Sequence, residues 1–225
     1  MPADRLVLLP ESIDDKQSAG MMLRGMTAQY LLRRTYRVQA GDPILVHAAA
    51  GGVGSILCQW AKHLGAMVIG TAGSDDKAAI AKDNGCNHTI VYSREDFARR
   101  VREITGGAGV AVVYDGVGKA TFEGSLDCLR PLGMMVSYGN ASGPVPPFEP
   151  SVLSQKGSLF FTRPTLMHYT AKTEDLQASA KELFDVVLGG YVRIAINQTY
   201  PLKDAAQAHR DLEARKTTGS TLLIP

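Results

Sequence analysis

Small residues follow an apolar run near residue 50, at a spacing that suits the binding of an anion. Residues 44–48 read Ile-Leu-Val-His-Ala, and Ala49, Gly51 and Gly54 precede the helical pattern of residues 55–64. Where a helix begins after a buried strand, free N–H groups and a partial positive charge attract a phosphate, and large side chains would block it. The three small residues occupy the glycine positions of G-x-G-x-x-G, with alanine replacing the first. This spacing predicts a dinucleotide-binding turn; the alternative is a turn that only packs a helix against a sheet.

The segment Gly70-Thr-Ala-Gly-Ser74 indicates which dinucleotide binds, because a carboxylate at this point normally binds the ribose hydroxyls of NAD. The segment contains no acid, whereas Ser74 and Lys77 can offer a hydroxyl and an ammonium to the 2′-phosphate of NADP. Asp75 lies about 20 residues beyond the last glycine of the turn, which is the spacing expected of a ribose-binding acid. We discount it, because Ser74 suits a helix N-cap and Asp75 then falls in the first turn, where negative charge is favourable without a ligand. Lys77 could instead be a solvated helix lysine, and Tyr92 either stacks on adenine or covers the edge of the core.

Short β-branched runs alternate with amphipathic helical runs, as in a parallel sheet covered on both faces. The predicted strands are 44–48, 66–71, 88–91, 110–115, 133–138 and 158–162. The predicted helices between them are 53–64, 74–84, 96–105, 120–129 and 150–155. The fold class is therefore α/β, a Rossmann doubly wound parallel sheet of order 3-2-1-4-5-6 with the glycine turn at its switch point. A helix at 173–188, a strand at 194–200, a helix at 203–214 and a strand at 220–223 follow.

Composition narrows the classes of function. The chain has 225 residues, 45% of them hydrophobic, and a net charge of +2 without a basic stripe, so a nucleic-acid partner is not expected. It has no run of about 18 apolar residues and no signal-peptide pattern, which predicts a cytoplasmic protein with no membrane role. Cys58, Cys86 and Cys128 are far apart, and the five histidines lack metal spacing, so no disulfide and no metal site are expected.

Several segments together resemble one family. They are His47-Ala-Ala-Ala-Gly-Gly-Val-Gly54, Gln59-Trp-Ala-Lys62, Tyr114-Asp-Gly-Val-Gly118, Ser125-Leu-Asp-Cys-Leu129, Gly157-Ser-Leu159 with Thr162-Arg-Pro164, and Gly219-Ser-Thr-Leu-Leu-Ile-Pro225. The pattern, from about Leu9 to Pro225, is similar to that of the NADPH:quinone oxidoreductases, the zinc-independent, zeta-crystallin-like branch of the medium-chain dehydrogenase/reductases.

The resemblance implies a set of cofactor-binding residues along the cleft. Gly51, Gly52 and Val53 would bind the diphosphate; Gly73, Ser74, Lys77 and Tyr92 the phosphorylated adenosine; Gly116 and Val117 the adenosine side; Tyr138 and Asn140 the nicotinamide half; Thr162 and Arg163 the carboxamide region; and Thr27 and Arg215 would reach in from outside the sheet. For the last of these, other roles stay open: Thr27 could bond its own helix backbone, and Arg163 or Arg215 could be a solvated surface charge.

The activity that the resemblance implies is hydride transfer from NADPH to a quinone. The cofactor carries the reactivity, and the protein orients it and excludes water. We assign no catalytic acid or base: the hydroxyls of Ser137 and Tyr138 could donate a proton to the quinol oxygens, but no His or carboxylate partner is apparent, which favours a role as strand-end residues. The alternative function is an NADPH-binding module without turnover, crystallin-like or regulatory.

Members of this family are similar in beginning with a GroES-like β-rich domain, and the present sequence starts too late to include most of one. We therefore predict three parts: residues 1–39, the exit of that catalytic domain with a connecting helix at 21–34; residues 40–197, the NADP-binding domain; and residues 198–225, a segment that returns to the catalytic domain. The apolar strand at 158–162 is predicted at the sheet edge, where it would pair with a second copy in a homodimer.

Overall fold

A computed structural model describes residues 2–225. The helices are α1 Asp15–Tyr30, α2 Gly52–His63, α3 Asp75–Asp83, α4 Phe97–Ile104, α5 Phe122–Cys128, α6 Ser151–Gln155, α7 Leu166–Tyr169, α8 Thr173–Leu188 and α9 Ala205–Glu213. The strands are β1 Pro43–Val46, β2 Met67–Ala72, β3 His88–Val91, β4 Val110–Asp115, β5 Leu129–Ser137, β6 Phe160–Thr162, β7 Ile196–Pro201 and β8 Ser220–Ile224.

The first six strands form one parallel sheet of order β3-β2-β1-β4-β5-β6, which confirms the predicted doubly wound topology. The pleat divides the apolar residues between two cores. Ile44 and Val46 of β1 belong to the core shared with α1, α2 and α8, and Leu45 belongs to the core on the opposite face, with Val113. Because the strands are parallel, all six carboxyl ends meet at one edge of the sheet, and the loops that follow them meet there too.

Several predicted strand boundaries were wrong, each for a reason in the backbone. The first strand ends at Val46 rather than residue 48, because Ala48 adopts a left-handed conformation with φ of 52°. The fifth strand begins at Leu129 rather than residue 133; Leu129 pairs with Val110 before an irregularity in register. The sixth begins at Phe160 rather than residue 158, where φ is 55°.

The helix near the N-terminus is longer than predicted. It begins at Asp15 instead of residue 21, because the side chain of Asp14 accepts a hydrogen bond of 2.7 Å from the Gln17 amide and caps it. At its far end the α-helix gives way to a π-helical turn, Leu31–Thr35. The short helix α7 was not predicted at all.

A small parallel sheet of β7 and β8 lies beside α1 and the glycine turn. The Ser220 hydroxyl donates to the Gly20 carbonyl at 2.8 Å, and Gly219 forms a bridge with Gly51. The segment after α9 is thus joined directly to the start of α2. The functional division at residues 39 and 197 remains a prediction. No helix in residues 2–225 is long and apolar enough to cross a membrane.

Candidate functional site

The loops after β1, β2 and β4 enclose a cleft of about 370 Å³ at the carboxyl edge of the sheet. Eight of the predicted site residues line it: Gly51, Gly52, Val53, Gly73, Lys77, Tyr92, Val117 and Arg215. The other lining residues are Arg24, Ala48, Ala50, Ala72, Ala141, Leu212, Thr217 and Gly219. Among these described lining residues there are three cations and no carboxylate, so the cleft favours an anionic ligand.

The glycine turn is shaped by close contacts between main-chain atoms. The Gly51 amide donates to the Ala48 carbonyl at 2.8 Å, which closes the turn. A Cβ built on Gly54 would lie only 2.9 Å from Ala49 Cα, so glycine is required where α2 crosses the end of β1. The N-cap of α2 is Gly51, which has no side chain to bond the first amides of the helix. The backbone N–H groups of Gly52 and Val53 are therefore available to a phosphate.

At the end of β2, the predicted phosphate-binding residues are held by helix capping and by the C-terminal segment. The Ser74 hydroxyl accepts from the Lys77 amide at 3.4 Å, which confirms its N-cap position. The Lys77 ammonium donates to the Arg215 carbonyl at 2.5 Å, so it also fastens the loop after α9. Asp75 forms an ion pair with Arg94 at 2.5 Å and does not line the cleft.

Tyr92 stands at the same rim. Its side chain is 41% exposed, and a Cβ built on Gly73 would lie 2.7 Å from its hydroxyl oxygen. The absence of a side chain at Gly73 is what lets the phenol ring lie over the end of β2. An exposed ring beside the cleft leaves a face on which a flat base can stack.

The loop that carries Gly116 and Val117 is held by Asp115, which is fully buried. The carboxylate accepts hydrogen bonds from the Val117 amide at 2.7 Å, the Gly118 amide at 3.0 Å and the Thr121 hydroxyl at 2.7 Å. These bonds satisfy the buried carboxyl oxygens and fix the position of Val117 in the cleft.

His47 lies behind this loop, at the end of β1. Its ring nitrogens are 2.9 Å from the hydroxyl oxygens of Thr71 and Ser125, and Ser125 in turn lies 3.5 Å from the Asp115 carboxylate. Burial lowers the pKa of His47, with Asp115 opposing the shift. His47 is therefore a neutral structural link between β1, β2 and α5, enclosed away from the cleft.

The predicted nicotinamide residues lie farther along the edge. Tyr138 packs on Gly116, where a Cβ would be 3.0 Å from Tyr138 Cζ, and burial raises the pKa of its phenol well above the usual value. Asn140 and Arg163 line a separate hollow with the proline-rich residues 144–148, and the Arg163 guanidinium donates to the Ser137 carbonyl at 3.0 Å.

Five predicted site residues line neither cavity: Thr27, Ser74, Gly116, Tyr138 and Thr162. Thr162 ends β6, and the Thr27 hydroxyl donates to the Leu23 carbonyl of its own helix at 2.8 Å. This bond is the alternative role considered above for Thr27. The binding role of each predicted site residue remains a prediction.

Arg24 is a cleft residue that the sequence did not reveal. It lies on α1 with its side chain over Gly52, where a Cβ would be 3.1 Å from Arg24 Cζ. The dinucleotide-binding motif does not include Arg24, because this residue lies on α1 and the strand β1 separates that helix from the glycine turn in the sequence. Within the part of the chain that the structure describes, no three His, Cys, Asp or Glu side chains are grouped as metal ligands.

Comparison with known proteins agrees with this geometry. A family model described as zinc-binding dehydrogenase matches residues 52–187, more than half of the chain. The quinone oxidoreductase of Pseudomonas aeruginosa is 55% identical over 222 residues, which cover 99% of this chain and 68% of that protein. The chain belongs to the quinone oxidoreductase family. The family resemblance predicted from the sequence is thus confirmed.

Two other relatives carry information on a bound coenzyme and on the substrates for which members of this quinone oxidoreductase family are named. The crystal structure of Escherichia coli quinone oxidoreductase complexed with NADPH superimposes with a TM-score of 0.97 at 49% identity, covering 99% of this chain and 69% of that one. A 2-haloacrylate reductase from a Burkholderia species is 51% identical, covering 100% of this chain and 68% of that protein. Two such similar relatives carry names that refer to different substrates.

Proposed function

We propose that this chain binds NADPH and transfers a hydride from it to a quinone. The observation that carries the proposal is the cleft itself, with bare main chain at the start of α2 and three cations with no carboxylate among its described lining residues. The relatives named above include quinone oxidoreductases that are 55% and 49% identical to this chain, and the structure of the second is a complex with NADPH.

The residues present fit this cofactor on two independent points. A Cβ at Gly54 would collide with the backbone of Ala48 and Ala49, so glycine is needed where the start of α2 lies against the end of β1 and leaves bare main chain facing the cleft. At the end of β2, Ser74 and Lys77 replace the acid that would repel a 2′-phosphate. Gly51, Gly52 and Val53 would bind the diphosphate, and Ser74, Lys77 and Arg215 the phosphorylated ribose.

Bound NADPH supplies the hydride, so that a quinone gains a hydride and a proton to become a quinol while the coenzyme becomes NADP⁺. The protein supplies position. Asp115 holds Val117 against the cleft through the Val117 amide, and the Lys77 ammonium holds the Arg215 carbonyl over it. Burial keeps the Tyr138 phenol protonated, and we assign it a packing role at the end of β5. No acid or base is assigned, and the quinol proton comes from water.

The experiment measures NADPH fluorescence on adding the protein, and then NADPH oxidation on adding 1,4-benzoquinone. The enzyme hypothesis predicts quenching followed by quinone-dependent oxidation. Quenching without oxidation would instead support a binding module without turnover, and absence of quenching would contradict both hypotheses.

A second candidate hydride acceptor is an alkene conjugated to a carboxylate. The sequence identity of 51% to a 2-haloacrylate reductase favours it, because the same hydride can be transferred to an alkene carbon that a neighbouring carboxyl group activates. Replacing benzoquinone with 2-chloroacrylate in the same assay compares the two acceptors. The quinone hypothesis predicts faster NADPH oxidation with the quinone.

We further propose that a second copy pairs along β6 to form a homodimer, and that the protein acts in the cytoplasm. The structure offers an open edge: β6 is the terminal strand of the sheet, and the side chain of Phe160 is 56% exposed. An apolar edge strand favours pairing with an identical strand. Light scattering that gives the mass of one chain at high protein concentration would contradict the dimer.

A further inference from the structure

Arg24 is a half-buried cation with no partner among the described residues. It lies on α1, between Leu23 and Gly25, and its side chain covers Gly52 at the first position of α2. Burial lowers the pKa of its guanidinium, and no charged group of the described chain contributes to the shift. A guanidinium carries five N–H donors, so partial burial without an acceptor is unfavourable unless a ligand provides one.

The platform that carries Arg24 is rigid. A Cβ built on Gly25 would collide with the Leu183 side chain, so α1 approaches α8 as closely as it does only because residue 25 is glycine. One turn later, the Thr27 hydroxyl bonds the Leu23 carbonyl. Arg24 is therefore presented to the cleft by a helix that is packed in the core, a setting that favours a well-defined contact with a ligand.

The cations of the cleft fall into two groups at different ends. Lys77 and Arg215 lie together at the end of β2, joined by the bond from the Lys77 ammonium to the Arg215 carbonyl. Arg24 lies at the glycine turn, beside the free amides of α2. NADPH has phosphate groups at two such positions, the 2′-phosphate on the adenosine ribose and the diphosphate.

We infer that Arg24 binds the diphosphate of the coenzyme together with the amides of Gly52 and Val53. This inference rests on the proposed function. The cations of the cleft then have two different roles. Lys77 with Arg215 selects for the 2′-phosphate, and Arg24 contributes affinity that NADPH and NADH share. Arginine suits this role because its planar fork can donate two parallel hydrogen bonds to phosphate oxygens.

The test is the affinity of the 225-residue chain and its Arg24→Gln variant for three probes: NADPH, NADH and 2′-AMP, which has the 2′-phosphate but no diphosphate. Losing this charge-assisted contact should raise Kd for both coenzymes by a similar factor, roughly 10-fold to 150-fold. Binding of 2′-AMP should change less than about twofold, and this unchanged binding also shows that the variant is folded. Arg24→Lys keeps the charge but loses the planar fork, so its Kd for both coenzymes should lie between that of the unmodified chain and that of Arg24→Gln.

Lys16→Gln is the matched control, because Lys16 is exposed on the first turn of the same helix and does not line the cleft. It should leave all three affinities unchanged. Three results with Arg24→Gln would overturn the inference: unchanged affinity for both coenzymes, loss of NADPH and 2′-AMP binding with NADH unaffected, or a raised KM for 2-chloroacrylate alone, which would place Arg24 at a substrate carboxylate. Failure of the unmodified chain to bind NADPH would instead contradict the proposed function.

Discussion

We predict that Lys77 determines the preference for NADPH over NADH. Its position in the cleft allows the change in NADPH affinity on replacing it to be estimated. Lys77 is a half-buried residue at the rim of the cleft, and its ammonium donates to the Arg215 carbonyl. A second bond, to the 2′-phosphate, would be charge-assisted and contribute about 1.5–3 kcal/mol. Lys77→Met should therefore raise Kd for NADPH roughly 10-fold to 150-fold, and Lys77→Glu should raise it further by repelling the phosphate.

The measurement is fluorescence titration with NADPH and NADH on the same protein samples. NADH lacks the 2′-phosphate, so its affinity reports only the second role of Lys77, the bond that fastens the Arg215 carbonyl. Arg215 has a left-handed backbone, with φ of 58°, and its loop closes the cleft. We expect the loss of that bond, which is exposed to solvent and has an uncharged acceptor, to weaken binding of both coenzymes by the same small factor, about 2-fold to 10-fold. The ratio of the two Kd values then isolates the phosphate contact.

Lys82→Met provides the control, because Lys82 is an exposed lysine on the same helix α3, outside the cleft. It should change neither Kd. If Lys77→Met and Lys77→Glu both leave the ratio of NADPH to NADH affinity unchanged, Lys77 is a solvated lysine that fastens a loop, and our explanation of coenzyme preference is wrong.

Three further predictions test the turn, the buried network and the open edge. Gly54→Ala should destabilise the fold by about 1–3 kcal/mol and weaken NADPH binding, because its Cβ would press on Ala49; a thermal melt that matches the unmodified chain would count against this packing. Burial lowers the pKa of His47, so as the pH falls the unfolded chain takes up a proton at a higher pH than the folded chain does. The stability that is present above about pH 6.5 should therefore be lost as the pH falls below this value, by up to about 1.4 kcal/mol per pH unit. Urea unfolding of His47→Gln should show a weaker pH dependence than the unmodified chain, and equal slopes would show that His47 does not carry the effect. Phe160→Lys should place a charge on the exposed edge strand and convert a dimer to monomers in size-exclusion chromatography; a dimer that persists would mean that the copies associate elsewhere.

The sheet and its order could be predicted because local patterns agree with global rules. Most strands of the parallel sheet are short apolar runs, each crossover contains a helix, and the handedness of crossovers leaves few strand orders. The N-cap role of Ser74 followed from residue type alone, and its hydroxyl does accept the Lys77 amide. The fold therefore depends on signals that the sequence carries within windows of a few residues.

The errors fall where the determining contact is not local or the conformation is rare for the residue type. Ala48, like Leu132 and Ser158, has a positive φ, which residue type alone would assign to glycine. Arg24 reaches the cleft only because α1 packs beside α2, and Gly25 of the same helix allows α1 to approach Leu183 of α8, far away in sequence. A pattern within a window cannot contain such a contact.

A crystal structure of the chain grown with NADPH would show directly where the coenzyme binds. We expect electron density for the diphosphate on the main chain of Gly51, Gly52 and Val53, with the Arg24 guanidinium against it, and a 2′-phosphate bonded by Ser74 and Lys77. Density for the coenzyme at another surface, or a cleft that stays empty at saturating NADPH, would contradict it.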